Sequence, residues 1–510
     1  MRTFARLLPV ALALSGCTKA PEPCVPAPVP PPRELTILYT SDEHGWLAPK
    51  DDRYAHLGGA TQLLANLLDR EGHCPGALDR DGLSVHPRRD NCPRTTLLLS
   101  GGDNFTGPSI STHLKGAPVA DTMRVLGYEA SALGNHELDF GREALLRNRE
   151  RSGVRYLAAN MVRDDGTPND LAEPYAMFER NGVRLGVIGI ATEKTLEVGM
   201  RSRFVGLHFE SVEATLDKTV PRVWAEGADA VIVIAHECHD VLAPLIERHP
   251  EWKLSFVGTG HCHRSAALKA GDTLLLAPAW SLSHYGRIRL RVHPERPLRE
   301  RAELVDFQLV DVNTPIDKPL RSGDKAFDAA LAGWQARVDG ELGEVIGHAA
   351  GFSASSDTMP RWVLGSWLEA FPEADLALTT RGALRQEMPP GPVTLGTVLS
   401  ILPFDNELVI AKLPKSEVAA LVAKPKSLVA GVRCDQGTCT KSDGSPLPEV
   451  VRLVTTDFLY DGGDGYALER KDEPPSMTRV NWRAPVIAWT RRAGSTKDTP
   501  LETKLAGLRR

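Results

Sequence analysis

The sequence predicts an α/β protein of two domains, and three observations carry that expectation. Short apolar runs recur along the first part of the chain with helical patterns between them, and each run stops at polar residues able to do chemistry. The pattern breaks after Val312, and a second α/β stretch starts near Glu344. With 510 residues, the chain also exceeds what one hydrophobic core usually serves.

The elements follow in order. Residues 35–40 form an apolar strand that ends at Ser41-Asp42-Glu43-His44. Residues 96–99 form another, ending at Ser100-Gly101-Gly102-Asp103, and 130–133 lead into Gly134-Asn135-His136-Glu137. The strand 184–190 follows an Asn181-Gly182 turn, as a hairpin partner does. The run 230–235 ends at His236, and 254–257 leads toward Gly260-His261-Cys262-His263. Residues 63–68 and 212–224 carry helical periodicity. Thr314-Pro315 and Lys318-Pro319 mark a linker, with a connecting helix over 324–338. The second α/β stretch runs to about Trp489, and the tail from Arg491 is polar and expected to be loosely ordered. Ligand sites of open α/β sheets gather at strand ends, so the polar groups of the first part are expected to share one site.

The amino terminus points to export. Arg2 and Arg6 precede a short apolar run over 7–14, too short to span a bilayer, and Leu14-Ser15-Gly16-Cys17 follows. That ending resembles a bacterial lipobox, which implies a signal peptide over 1–17, Cys17 as a lipid-bearing first residue, and a membrane-anchored body in the periplasm or at the cell surface. Residues 18–33 are a proline-rich linker of extended polyproline character. A formal charge of −5 gives no bulk attraction to nucleic acid, so no nucleic-acid polymer is expected as partner. Beyond Cys17 the chain has Cys24, Cys74, Cys92, Cys238, Cys262, Cys434 and Cys439, an odd set. Cys434 with Cys439, Cys74 with Cys92, and Cys238 with Cys262 are the natural pairings, Cys24 being left over; spacing alone leaves the connectivity open.

The candidate chemistry is metal-dependent. Asp42-x-His44, in extended chain, points a carboxylate and an imidazole to one side. Asp103 follows two glycines that let the backbone turn, and its two oxygens can bridge cations. Asn135 adds an amide oxygen, and His236, His261 and His263 add imidazoles. A mixed His, Asp and Asn set suits Mn, Zn or Fe better than Mg or Ca.

The order of these motifs resembles the calcineurin-like metallophosphoesterases, and most of all their bacterial 5'-nucleotidase branch, over residues of about 34–490. The resemblance implies a sandwich of two β-sheets flanked by helices over 34–312 and a linker with connecting helix over 313–342. A 5'-nucleotidase C-terminal, substrate-binding α/β domain over 343–490 and a polar tail over 491–510 would complete the chain. It implies two divalent metal ions, one held by Asp42, His44, Asp103 and His263, the other by Asp103, Asn135, His236 and His261. His136 would touch the phosphoryl group, oriented by Asp139. In the second domain Phe458 and Phe404 resemble the family's base clamp, Asp464 its ribose ligand and Arg385 its phosphate-binding arginine. Two family segments are altered: Thr380 stands for an Asn, and Thr358 and Arg361 stand for an Arg and a Glu, with Arg361 expected to reach the site from one helical turn away. The implied activity is hydrolysis of extracytoplasmic nucleotide phosphoesters. Nucleotide-sugar or cyclic-nucleotide hydrolysis, the thiohydrolases of sulfur oxidation and a non-catalytic nucleotide-binding lipoprotein are the alternatives.

Overall fold

Strands with apolar residues on both faces build the first domain. In the strand Ala230–His236, Ala230, Ile232 and Ile234 face one buried cluster and Val231, Val233 and Ala235 another. In Arg33–Thr40, Leu35, Ile37 and Tyr39 point inward while Leu38 meets the helices. Such strands read as continuous apolar runs because each is covered on both sides. A computed structural model describes residues 30–48, 50–52, 55–57, 59–74, 95–167, 169–313, 322–469 and 474–509. The signal segment with Cys17, Cys24, nearly all of the proline-rich linker, Cys92 and the Thr314-Pro315 linker lie outside the described residues.

Two six-stranded sheets stack face to face. The first runs in the order Ala302–Asp311, His284–Val292, Arg33–Thr40, Thr96–Ser100, Tyr128–Ala132, Arg155–Leu157. The second runs Ser265–Ala270, Thr273–Pro278, Phe256–Thr259, Ala230–His236, Val183–Ala191, Tyr175–Arg180. Their central pairs are parallel, so the loops after Thr40, Ser100, Ala132, His236 and Thr259 all leave from carboxyl ends. Tyr39 packs edge-on against Phe256 across the interior, with ring centroids 5.7 Å apart. A Cβ on the neighbouring Gly258 would lie 2.4 Å from the Tyr39 ring, so this close approach requires glycine.

The helix Ser322–Leu342 leads to the second domain. There a five-stranded sheet runs Ser427–Ala430, Leu376–Thr380, Val450–Thr456, Glu407–Pro414, Ser476–Asn481. The helices Thr358–Ala370 and Arg483–Ala493 share its larger core with the buried Trp362, Trp367 and Trp482. Trp362 Nε1 donates to Thr490 Oγ1 at 2.9 Å and Trp367 Nε1 to the Trp482 carbonyl at 3.0 Å, so neither indole N–H is buried unpaired. Two of the natural cysteine pairings are disulfides, Cys238–Cys262 and Cys434–Cys439.

The tail departs from expectation. It is not loosely ordered: residues to Ala493 complete a helix, Leu501–Lys504 form another, and Leu501, Leu505 and Leu508 are buried in the second domain's core. Gly365 makes the seat, since a Cβ there would meet the Leu508 Cβ at 2.8 Å. The leucines recur at i, i+4 and i+7, an amphipathic signal hidden by the polar average around it. Leu501→Ala is expected to lower stability by about 2–5 kcal/mol in urea unfolding. A midpoint equal to wild type would mean the tail is not part of this core.

Candidate active site

The loops from both sheets meet at one edge, and their backbone is unusual there. Asp42 (φ 56), His44 (φ 45), Asp103 (φ 58), His261 (φ 68) and His263 (φ 52) are all left-handed. This corrects the reading of Asp42-x-His44 as extended chain: the strand ends at Thr40, and the two side chains converge through a folded loop rather than through a pleat. The loop is fastened to the one after Thr96–Ser100. Asp42 N–H donates to the Gly102 carbonyl and His44 N–H to the Asp103 carbonyl, both at 2.9 Å. Non-glycine residues held in this region cost of order 1–3 kcal/mol each, and they concentrate at functional sites.

The side chains gather in two sets. Asp42, His44 and His263 present donor atoms within 4.8 Å of one another, and so do Asp103, His236 and His261. Asp103 Oδ2 lies 3.1 Å from His236 Nε2 and 3.7 Å from His44 Nε2, so one carboxylate oxygen faces both sets. Asn135 Oδ1 is 3.2 Å from His236 Nε2. His44 Nδ1 is 3.0 Å from the Thr106 carbonyl and His236 Nδ1 2.9 Å from that of Gly101, which turns each Nε2 inward.

The electrostatics suit a cation. Burial drives His261 and His263 down to about 3 and His44 well below its usual range, so these imidazoles keep a free lone pair. Burial also pulls on His236, yet Asp103, by charge and hydrogen bond, together with Asp42 and Glu137, pushes it up to about 10. Buried carboxylates here demand positive charge. The donors therefore fit a divalent ion of the Mn, Zn or Fe class in chemistry and in convergence.

Beside them His136 Nδ1 pairs with Asp139 Oδ2 at 2.7 Å, and the His136 N–H donates to Asp103 Oδ1 at 2.9 Å. From the second domain Arg385 Nη2 donates to His136 Nε2 at 2.8 Å, which leaves the Nδ1 hydrogen toward Asp139. Phe404 stacks on His136 with centroids 5.3 Å apart, and the Arg385 guanidinium lies 5.1 Å from the Phe404 ring. A cavity of about 870 Å³ between the domains is lined by Asp103, Asn135, His136, His261 and His263 on one side and by Arg385, Phe404, Phe458 and Asp464 on the other. Asp42, His44 and His236 lie behind it, almost fully buried.

The altered segments have different outcomes. Thr380 Oγ1 donates to Asp464 Oδ2 at 2.7 Å, so Thr380 still holds the carboxylate of the opposite loop. Arg361 does not reach the site, and that expectation is corrected: its Nη2 donates to the Ala506 carbonyl at 3.2 Å, and it lines a separate cavity with Arg433 and Arg509. The helix Thr358–Ala370 turns that face toward the docked tail. Sequence reasoning missed Trp280, whose ring lies flat on His263 at 5.1 Å with its edge toward Trp46. Nothing local marks it, because only the fold brings it to the histidine. Glu137 was legible as part of Gly-Asn-His-Glu but received no role. Its carboxylate accepts the N–H groups of Asp103, Asn104 and Gly134 at 3.0, 2.8 and 2.7 Å.

Comparison with known proteins follows the same lines. Residues 337–447 match the model of the 5'-nucleotidase C-terminal domain. The protein UshA of Yersinia enterocolitica is 26% identical over 499 residues, covering 85% of this chain and 86% of its own length. The 5'-nucleotidase of Vibrio cholerae is 26% identical over 519 residues, 90% of each chain. Among solved structures, a 5'-nucleotidase precursor from Thermus thermophilus superposes with a TM-score of 0.73 at 20% identity over 92% of this chain and 99% of that one. The sulfate thiohydrolase SoxB of the same organism reaches 0.67 at 17% identity, over 92% and 96%. The two-domain fold of the 5'-nucleotidases is therefore the fold of this chain.

Glu137→Ala would leave three buried N–H groups without their acceptor. The expected loss is about 2–4 kcal/mol of stability, read by chemical denaturation. A loss below about 0.5 kcal/mol would show that the loops do not depend on this carboxylate.

Proposed function

We propose that this chain is a phosphoric ester hydrolase of the 5'-nucleotidase kind, exported and lipid-anchored through Cys17, that uses two divalent metal ions. The carrying observation is the interdomain cavity, where the buried donor sets and the His136–Asp139 pair face Arg385, Phe404, Phe458 and Asp464. Asp42, His44, Asp103 and His263 would hold one ion and Asp103, Asn135, His236 and His261 the other. Bound there, such ions activate water and neutralise phosphoryl oxygens.

The remaining work falls to side chains. His136, steadied by Asp139, hydrogen-bonds the transferring or leaving oxygen. Arg385 exchanges its contact with His136 for the phosphate oxygens, where its fork of donors matches the anion. Phe404 and Phe458 stack on the base, worth about 1–3 kcal/mol per base. Asp464, held by Thr380, accepts the ribose hydroxyls. Export agrees with the leader reading and with the disulfides. Among the described residues no helix is long and apolar enough to cross a membrane. The fold likeness to a thiohydrolase supports a second reading, but the aromatic lining on the second-domain side favours a nucleotide.

The chain from Pro32 onward, loaded with Mn or Zn, is expected to hydrolyse AMP to adenosine and phosphate, UDP-glucose to UMP and glucose 1-phosphate, or 2',3'-cyclic AMP to a ring-opened nucleoside monophosphate, each product read by chromatography. Hydrolysis of none of them would sink the proposal. His136→Ala should retain metal yet lose about 10²–10⁴-fold in kcat. Phe458→Ala should raise KM about 10-fold or more with a smaller change in kcat. By elemental analysis, Asp103→Ala should lose both metal equivalents and His263→Ala only one. Full occupancy in Asp103→Ala would refute the shared carboxylate.

A further inference from the structure

Three of the ligand histidines sit on two short loops, and one disulfide joins those loops. His236 ends the strand Ala230–His236, while His261 and His263 follow its parallel neighbour Phe256–Thr259. Cys238 comes two residues after His236, and Cys262 lies between His261 and His263. Their sulfurs are bonded, with the Cα atoms 5.4 Å apart, across a sequence separation of 24. Cys238 is buried, and both cysteines line the interdomain cavity.

The second loop needs a restraint. His261 and His263 are both left-handed, a state that persists in non-glycine residues only where the surroundings impose it. Outside the disulfide, two backbone groups among His261, His263 and the Gly260 before them tie this loop to other segments. His261 N–H donates to both Asp42 carboxylate oxygens at 3.0 and 3.1 Å, and Gly260 N–H to the Glu237 carbonyl at 3.2 Å. His263 has neither, and rests its ring on Trp280.

We infer that the Cys238–Cys262 disulfide is a positioning clamp for the metal centre, so that full metal affinity is reached only once these two thiols have been oxidised. The inference rests on the two-metal reading above. The clamp touches both donor sets, because His263 belongs to one and His236 and His261 to the other. Closing it removes one proton and one electron from each thiol, and the two electrons reduce a protein disulfide oxidant to its dithiol. Such oxidants work outside the reducing cytoplasm. Export would thus complete the metal site, and unexported chains would stay poorly metallated.

The test uses the full chain, and its main readout is metal rather than turnover. Cysteines 238 and 262 are replaced together by alanine (C238A/C262A), because free thiols with Asp240 could themselves bind metal. The control is C434A/C439A, which opens the disulfide of a second-domain hairpin. Bound Mn or Zn per chain against free metal, the rate of loss to EDTA, and the thermal melt are measured for each. Should C238A/C262A not fold, C238S/C262S takes its place, since the hydroxyl keeps the size of the side chain and removes the thiolate that could bind metal. Opening the clamp is expected to weaken metal binding about 10-fold or more and to speed loss to EDTA, with kcat recovered at saturating metal. The control should match wild type. Unchanged metal affinity and EDTA rate, with or without a lower melting temperature, would overturn the clamp and leave the metal centre standing. Oxidised wild type that binds no metal would instead overturn the reading on which the clamp rests.

Discussion

The Asp103 carboxylate is the constraint on which the rest of the site depends. One oxygen accepts the His136 N–H, and the other faces His236 from the second sheet and His44 from the first. Its backbone N–H is held by Glu137, and its carbonyl takes the N–H of His44. A single residue therefore ties together His136, both donor sets and loops from the two sheets. Its neighbours are chosen to let it in. A Cβ at Gly134 would lie 2.1 Å from Asp103 Oδ1, so the loop carrying Asn135 and His136 can approach only with glycine at that position.

Such an arrangement needs a stiff platform. Five left-handed, non-glycine residues in one cluster are unfavourable locally, and so are several buried carboxylates. What offsets them is the sandwich beneath, whose strands are buried on both faces and whose parallel centres deliver all the loops to one edge. The second domain adds one such residue to the cavity, Asp464 (φ 52). It brings Arg385, Phe404, Phe458 and Asp464 to the open side of the cavity, so the two sides of the cavity rest on separate cores.

How much of this could be read from the chain follows from what each signal measures. Strand positions were legible because burial on both faces writes an uninterrupted apolar run, and the convergence of the candidate donors was legible because they sit where those runs stop. The backbone state of Asp42 and His44 was not, since an apolar run says where a strand ends but nothing about φ in the loop beyond it. Trp280 was invisible for a related reason: its partner His263 lies on another strand's loop, and only the sheet order makes them neighbours. The docked tail was missed because Leu501, Leu505 and Leu508 are spaced like a helix inside a segment whose composition is polar. Arg361 could not be placed from sequence, because the pattern of Thr358–Ala370 does not say which face meets the docked tail, and that face carries Arg361 to the Ala506 carbonyl.

That last correction sharpens the substrate side of the site. The resemblance offers two cationic contacts for a charged ester, and here Arg385 alone of the two stands in the cavity, its guanidinium over Phe404 and its donor on His136. The polar contact that the altered segment preserves is of another kind: Thr380 orients Asp464, a group suited to hydroxyls rather than to phosphate. On the proposed function, Arg385 beside the donor sets would meet the reacting phosphoryl group, while Lys115, Lys194, Arg264, Lys426 and Arg483 also line the cavity. Recognition of the rest of the ester passes to stacking and to hydroxyl contacts. Stacking accepts any base with a π-face. On the proposed function, a site built in this way would discriminate weakly among bases and favour a ribose-like diol beside the phosphate, a selectivity set by the second domain while the donor sets stay anchored on Asp103.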